Sequence, residues 1–389
     1  MKLWIKLTSL VLSSLLLAGV ATACSRGGDG ENNGEGGGNH YTLTVWGAQE
    51  DQAMLKSMCE AYAKANPRNT YTFRYGVQGE GDVGDKLLAD VMAGPDVFSF
   101  PSDRINSFYA AGALARIGGD LETTVKAQNT AASVDAASIR VGGENQLYAF
   151  PSTGDNCYFL YYDKSVYKNA SDVDSLDSLL SVAAAAGKKV HFKINDDGWY
   201  LSSDALVAQT DDSKMIAALT ADKNGKREAA AIVSGTWNAP AIKKLLGDNM
   251  GVAILPTIQL DGETVRLSGF MGYKLIGVNG YSKNKGEASR LAAFLTNEEN
   301  QLLRYQTRGF APTNEKVAAR EEIKQDPVIS TVLKQAPYNR SQKNVPNAYW
   351  TPMGSLITPL ITARAEGRTV SDSEMQGYLN ALCKQIRKG

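Results

Sequence analysis

From Tyr41 onward, strand-like stretches alternate with helix-like ones, and that alternation restricts the chain to layered α/β folds more than any other feature. Residues 41–46 alternate like a strand, and Asp51 to Asn66 carries Met54, Met58, Ala61, Tyr62 and Ala65 at helical spacing before Pro67 stops it. Residues 70–77 predict a second strand, Lys86 to Met92 a helix, Asp96 to Phe100 a strand, and Asn106 to Leu114 a helix closing near Gly112. The pattern continues with strands at 147–150 and 157–162 around a turn-like Pro151-Ser152-Thr153-Gly154. A helix over Leu176–Ala186, a strand over Lys189–Ile194, a helix over 213–221 and an apolar segment over 226–234 follow. Gly251–Leu255 and Lys274–Val278 read as strands and Gly286–Arg304 as helical. The last stretch is mainly helical and ends in a helix over Met375–Ile386. Such alternation predicts a mostly parallel sheet.

The first residues obey a different logic. Lys2 and Lys6 precede an apolar stretch, Leu7 to Val20, which is short for a membrane span. It closes on Ala21-Thr22-Ala23-Cys24, which resembles a bacterial lipobox with Ala in place of the usual first Leu. Residues 1–23 are therefore expected to be a lipoprotein signal peptide, and Cys24 the acylated (palmitate-type) first residue of the mature chain. Ser25 to Asn39 holds seven glycines and no apolar residue. With nothing to bury, residues 24–40 are expected to be a flexible spacer, spanning roughly 20–25 Å r.m.s.. The protein is thus expected outside the cytoplasm, lipid-anchored to the cell membrane.

At 389 residues the body is long enough for two or three domains. The 41 basic residues balance 41 acidic ones, and loss of Lys2 and Lys6 with the leader tips the body slightly negative. Nucleic acid is accordingly excluded as a partner. Two histidines, His40 and His191, and four cysteines, Cys24, Cys59, Cys157 and Cys383, cannot build a histidine-rich zinc site or a disulfide scaffold. No metal and no cofactor is expected, and a neutral ligand fits the inventory best. His40 falls at the end of the spacer and His191 in a buried strand, so neither serves binding. After acylation of Cys24 the remaining cysteines are expected as partly buried thiols, a Cys157–Cys383 bridge being left open.

Several strings then resemble one family in a single order: LTVWGAQEDQAMLKSMCEAYAKANP, PDVFSFPSDRINSFYAAGALARI, LYAFPSTGDNCYFLYYDKSVY, SGTWNAPAIKK with MGVAILPT, FLTNEENQLL with GFAPTNEKV, and NVPNAYWTPMGSLITPLITARAEG. Together they resemble the extracellular solute-binding proteins of ABC sugar importers, in particular the maltose/maltodextrin-binding group. The resemblance implies a two-lobed periplasmic-binding-protein-like α/β fold with three interlobe crossings and a ligand cleft between the lobes. Lobe one would comprise 41–152 and 270–313, and lobe two 157–265 and 318–389. The crossings would lie near 152–156, 266–270 and 312–318. It also implies a monomer that binds a maltodextrin-like oligosaccharide and delivers it to ABC transporter permease subunits. Another oligosaccharide, or a sugar-sensing lipoprotein presenting its bound state to a signalling partner, are the alternatives. No enzyme activity is expected.

An oligosaccharide needs aromatic platforms interleaved with directed hydrogen-bonding groups. By resemblance, Asp103 and Arg104 match the family's Asp-Arg ligand pair, although the two could also start a helix. Phe100 stands where many members have tryptophan, with core packing as its rival. Trp46 ends the first strand, and Glu50 is preferred over Asp51 as a contact from the following turn. Asp155 matches an acidic contact at the first crossing. In INDDGWY, Asp197 and Trp199 point to one side of an extended chain. Trp237 and Trp350 match stacking positions beside Gly, Pro and Asn, with Tyr349 as a neighbour. Tyr158, Tyr161 and Tyr162 read as strand packing. The carboxylates do not suggest a glycosidase, which needs two acids facing one bond, and adjacent Asp196 and Asp197 make a poor pair.

Overall fold

The computed structural model describes residues 38–193, 206–209, 212–260, 262–349, 352–353, 356, 359, 362–363 and 366–387. Along the chain the strands are β1 (His40–Gly47), β2 (Thr70–Val77), β3 (Val97–Pro101), β4 (Ser138–Val141), β5 (Glu144–Leu147), β6 (Ala149–Asn156) and β7 (Phe159–Asp163). There follow β8 (Lys189–Lys193), β9 (Leu206–Gln209), β10 (Ala229–Ser234), β11 (Met250–Ala253), β12 (Thr257–Leu260), β13 (Glu263–Arg266), β14 (Phe270–Val278) and β15 (Arg340–Ser341).

These strands form two principal sheets. The first runs β15-β14-β3-β1-β2, with β6 also on β14, and the second β11-β7-β10-β8-β9. Pairs β4–β5 and β12–β13 are separate hairpins. Both large sheets are mixed, which corrects the expectation of a mostly parallel one. β1 runs parallel to β2 and β3, but β14 lies antiparallel to β3 and β6. In the second sheet β10 runs parallel to β8 and antiparallel to β7. The reason is topological: β14 enters the first sheet from the chain's excursion through the second, and it arrives running against β3.

Local sequence explains the elements. In β1 the buried positions Leu43, Val45 and Gly47 alternate with less buried ones, so one face lies on the core. The helix Gln52–Ala65 buries Met54, Leu55, Met58, Cys59 and Tyr62, one stripe of its surface, against that face. Each such aliphatic side chain contributes about 1.5–3 kcal/mol by leaving water. β10 is buried at all six positions, as expected of a central strand covered on both faces, and its alanines let neighbouring layers approach closely.

One segment differs from its sequence expectation and a second is broken in two. Pro151 to Gly154 is not a turn but the middle of β6. Pro151 stands opposite Leu275 of β14, and the bonds β6 makes on its other side come from other residues, Ala149 N to Ala137 O and Gly154 N to Ala311 O, so the missing proline N–H leaves no gap in either set. Gly154 is required by packing: its N–H donates to Ala311 O at 2.9 Å, and a Cβ would lie 2.9 Å from the Tyr273 ring. The helical stretch expected over Gly286–Arg304 is two helices, Lys285–Leu295 and Glu298–Arg308. Thr296 Oγ1 bonds back to Ala292 O at 2.9 Å, and Asn297 Oδ1 caps the second helix by accepting from Asn300 N at 2.9 Å.

The thiols and histidines take defined places. Cys59, Cys157 and Cys383 are not in disulfides; Cys59 and Cys157 are buried, whereas Cys383 is exposed, correcting its expected burial. Burial pushes the Cys59 thiol up to about 12, so it stays protonated and inert. His191 is buried in β8, while His40 begins β1 rather than ending a spacer. Among the described residues no helix is long and apolar enough to cross a membrane.

Candidate functional site

A cavity of about 420 Å³ opens where the strand ends of both sheets meet. Ala48 and Glu50 follow β1, and Gly79 and Glu80 follow β2. Asp155 and Asn156 end β6, Tyr158 precedes β7, and Thr236 and Trp237 follow β10. Lys274 of β14 and Arg308 and Phe310, at the end of the helix Glu298–Arg308, complete the wall. Among the described residues no cluster of His, Cys, Asp and Glu suits a metal ion.

One wall is aromatic. Trp237 is 38% exposed and meets Tyr158 edge-on, with ring centres 5.3 Å apart. The indole can lie on the backbone only because residue 235 is glycine: a Cβ there would sit 2.0 Å from Trp237 Cζ3. Tyr161, buried, donates its hydroxyl to Gly235 O at 3.0 Å and holds that turn in place.

The rest is polar and already organised. Lys274 Nζ lies 2.8 Å from Glu80 Oε1 and 3.8 Å from the centre of the Phe310 ring. The Arg308 guanidinium lies 5.1 Å from the same ring centre, 3.0 Å from Asp51 and 3.7 Å from Glu50. Thr236 Oγ1 donates to Asp155 Oδ2 at 2.8 Å, joining the end of β6 in one sheet to the turn after β10 in the other. Burial pushes the Asp155 carboxyl above its ordinary value, with Lys274 and the Thr236 bond opposing. Each carboxylate in this wall faces a cation or a hydroxyl donor, so the groups present both donors and acceptors in fixed directions.

The sequence candidates divide. Trp237, Asp155 and Glu50 line the cavity together. Asp103 and Arg104 are not lining residues; they lie in the single turn Ser102–Arg104 after β3, where the Asp103 carboxyl feels the charge of the lining residue Glu80. The helix Ile105–Ala110 follows directly, with Arg104 at its N-cap position and no side-chain cap bond from that residue. Burial raises the Asp103 carboxyl above the ordinary value, with Arg104 opposing and Glu80 adding. Arg104 lies against Gly84.

Phe100 is corrected: it is fully buried, packed on Phe98 and Phe108, and presents no face to a ligand. Side chains alternate along β3, and position 100 falls on the core face. Trp46 also lies away from the cavity, covering Gly76, its partner across β1 and β2. Asp51 is not among the residues lining the cavity, makes no side-chain cap bond, and pairs with Arg308. Tyr349 packs edge-on against Phe270. Asp197, Trp199, Trp350 and Cys24 lie outside the described residues.

Sequence reasoning missed Tyr158, Glu80, Lys274, Arg308 and Phe310. Tyr158 reads as strand packing, but it precedes β7 and faces the cavity. The other four come from distant segments, and no local pattern pairs them.

Two sheets whose strand ends share a cavity of aromatic faces and fixed polar groups define a small-molecule binding protein. The model of the bacterial extracellular solute-binding protein family matches residues 47–302, and the chain belongs to that family. The galactooligosaccharide-binding protein of Bacillus subtilis (strain 168) is 25% identical, over 85% of this chain and 87% of its own. A maltooligosaccharide ABC transporter solute-binding lipoprotein of Streptococcus pneumoniae is 23% identical, over 94% of both chains. A solved structure with acarbose is 31% identical with a TM-score of 0.74, covering 90% of this chain and 99% of that one.

Proposed function

We propose that this protein captures a maltodextrin-like oligosaccharide outside the cytoplasm and delivers it to the permease subunits of an ABC importer. The observation that carries this reading is that the Trp237–Tyr158 pair lines one cavity together with the Glu80–Lys274 and Asp155–Thr236 groups. A pyranose has weakly apolar faces and a rim of hydroxyls, and this pairing suits both. The reading includes two lobes built on the two sheets, with the cavity as the cleft and closure by hinge motion of the connecting segments. Asp103 and Arg104 then act from the first lobe on a ligand resting on Trp237. Trp199, Asp197 and Trp350 are proposed as further contacts of the same cleft. The relatives that bind maltooligosaccharide, galactooligosaccharide and acarbose support a sugar ligand. Binding without chemistry follows from the family.

The test is calorimetric titration with linear and cyclic α-glucans, galactooligosaccharides, β-glucans and xylo-oligosaccharides. Tightest binding of a linear α-glucan supports the reading, and absence of binding to every sugar overturns it. Tethering is proposed through a lipid on Cys24, supported by the lipoprotein among the relatives. Cys24→Ala is expected to move the protein from the membrane fraction to the medium or periplasm while leaving sugar affinity unchanged. Retention of Cys24→Ala in the membrane fraction would mean that Leu7–Val20 anchors the chain instead.

A further inference from the structure

Lys274 is a cation in an apolar stretch of sequence: its strand neighbours Leu275, Ile276 and Val278 are all core. Its ammonium nevertheless reaches the cavity, held between Glu80 Oε1 at 2.8 Å and the Phe310 ring at 3.8 Å. A lysine ammonium has three N–H donors and no acceptor. Glu80 takes one and the Phe310 face another, which leaves the third for the cavity. Burial opposes the charge, but Glu80 and then Asp155 outweigh it, and the group remains protonated at neutral pH. The side chain is only 19% exposed and is pinned at its tip from two sides. Its free donor therefore has a fixed direction.

On the reading that this cavity holds an oligosaccharide, we infer that Lys274 is a specificity-determining residue, donating a charge-assisted hydrogen bond to one sugar oxygen in the cavity. A platform such as Trp237 accepts any pyranose with an apolar face. A pinned ammonium does not: a sugar lacking an oxygen at that point leaves a desolvated donor unpaired. Epimers that differ at one carbon, such as glucose and galactose units, are the pair such a donor can separate. The contact is charge-assisted and hence stronger than a bond between neutral groups.

The experiment compares the parent, Lys274→Met, Glu80→Gln and Trp237→Ala by calorimetric titration. The probes are maltotriose, β-1,4-galactotriose, and monodeoxy derivatives of whichever binds the parent more tightly. Lys274→Met is expected to lose about 10- to 100-fold in affinity for the better trisaccharide and to bring the two trisaccharides close to equal affinity. One monodeoxy derivative should bind the parent and Lys274→Met alike, because the absent oxygen and the absent ammonium remove the same bond. Glu80→Gln, which keeps the ammonium, should retain the preference. A uniform loss for every ligand with no such coupling would assign Lys274 to holding Glu80 alone and overturn the inference, as would loss of the preference in Glu80→Gln. If Lys274→Met does not fold, Lys274→Arg should change the trisaccharide preference by moving the donor, and an unchanged preference there overturns the inference. If Trp237→Ala weakens both sugars while Lys274→Met changes nothing, this inference fails and the sugar reading stands. If neither trisaccharide binds the parent, the tightest binder of the sugar panel and its epimer take their place, and absence of binding to every sugar ends the sugar reading and the inference with it.

Discussion

Trp237→Ala is expected to lower oligosaccharide affinity about 10- to 100-fold while preserving the ranking among chain lengths. Covering an indole face removes apolar surface worth about 1.5–3 kcal/mol from water, and each 1.4 kcal/mol is tenfold in affinity. The ranking survives because a flat apolar surface does not read individual hydroxyls. The side chain is partly exposed but also rests on Gly235 and Tyr158, so the affinity is compared on protein whose melting without sugar shows that it is folded. Asp103→Ala provides the contrast. Acting from beside Glu80, it should weaken binding and also reduce the ligand-induced compaction seen by small-angle scattering. Tight sugar binding by folded Trp237→Ala would place the cleft elsewhere, and normal compaction of Asp103→Ala would remove that residue from closure.

Glu287→Ala is expected to destabilise the fold by about 1–3 kcal/mol, the usual cost of leaving a buried hydroxyl such as that of Tyr62 without its acceptor; the remaining Arg290 is more than half exposed and is not stranded as a buried charge. The carboxylate is 2% exposed. It accepts hydroxyl bonds from Tyr62 at 2.5 Å and Tyr71 at 2.7 Å, and a bond from Arg290 Nε at 3.0 Å. One side chain thereby ties the helix Gln52–Ala65, strand β2 and the helix Lys285–Leu295 to one another. Burial alone would raise its pKa, but the bonds from Tyr62, Tyr71 and Arg290 outweigh it and hold the group below the ordinary glutamate value. The stabilisation is therefore present above about pH 4.3 and is lost as pH falls through the lower folded value. Urea unfolding at pH 7 measures the first effect. Unfolding of Glu287→Gln between pH 5 and 3 measures the second, since the amide has no proton to take up. A Glu287→Gln protein as acid-sensitive as the parent would place the critical acid elsewhere.

The regularity of the chain explains what could be read in advance. β1, β2 and the helix Gln52–Ala65 lie within a residue or two of their expected bounds because one buried face imposes a local period. Trp237 and Asp155 were legible through family strings, and Glu50 through its position after a strand. Phe100 was not, because a resemblance identifies a position without stating which way the side chain of a buried strand points. Side-chain direction in β3 is settled by pairing with β1 and β14, not by the tripeptide around Phe100.

The sequence by itself determined the α/β layering, the order of most elements and the membership of a solute-binding family, since periodicity and ordered strings are local properties. Only the tertiary structure decided the mixed direction of both sheets, the continuation of β6 through Pro151–Gly154, and the polar wall of the cavity. Glu80, Lys274, Arg308 and Phe310 are separated by up to hundreds of positions, yet their ion pair and ring contacts depend on distances of 2.8–5.1 Å. A direct ion pair and a ring contact need their groups to touch, so they arise when β14 is laid between β3 and β6 and the turn after β2 is brought over it.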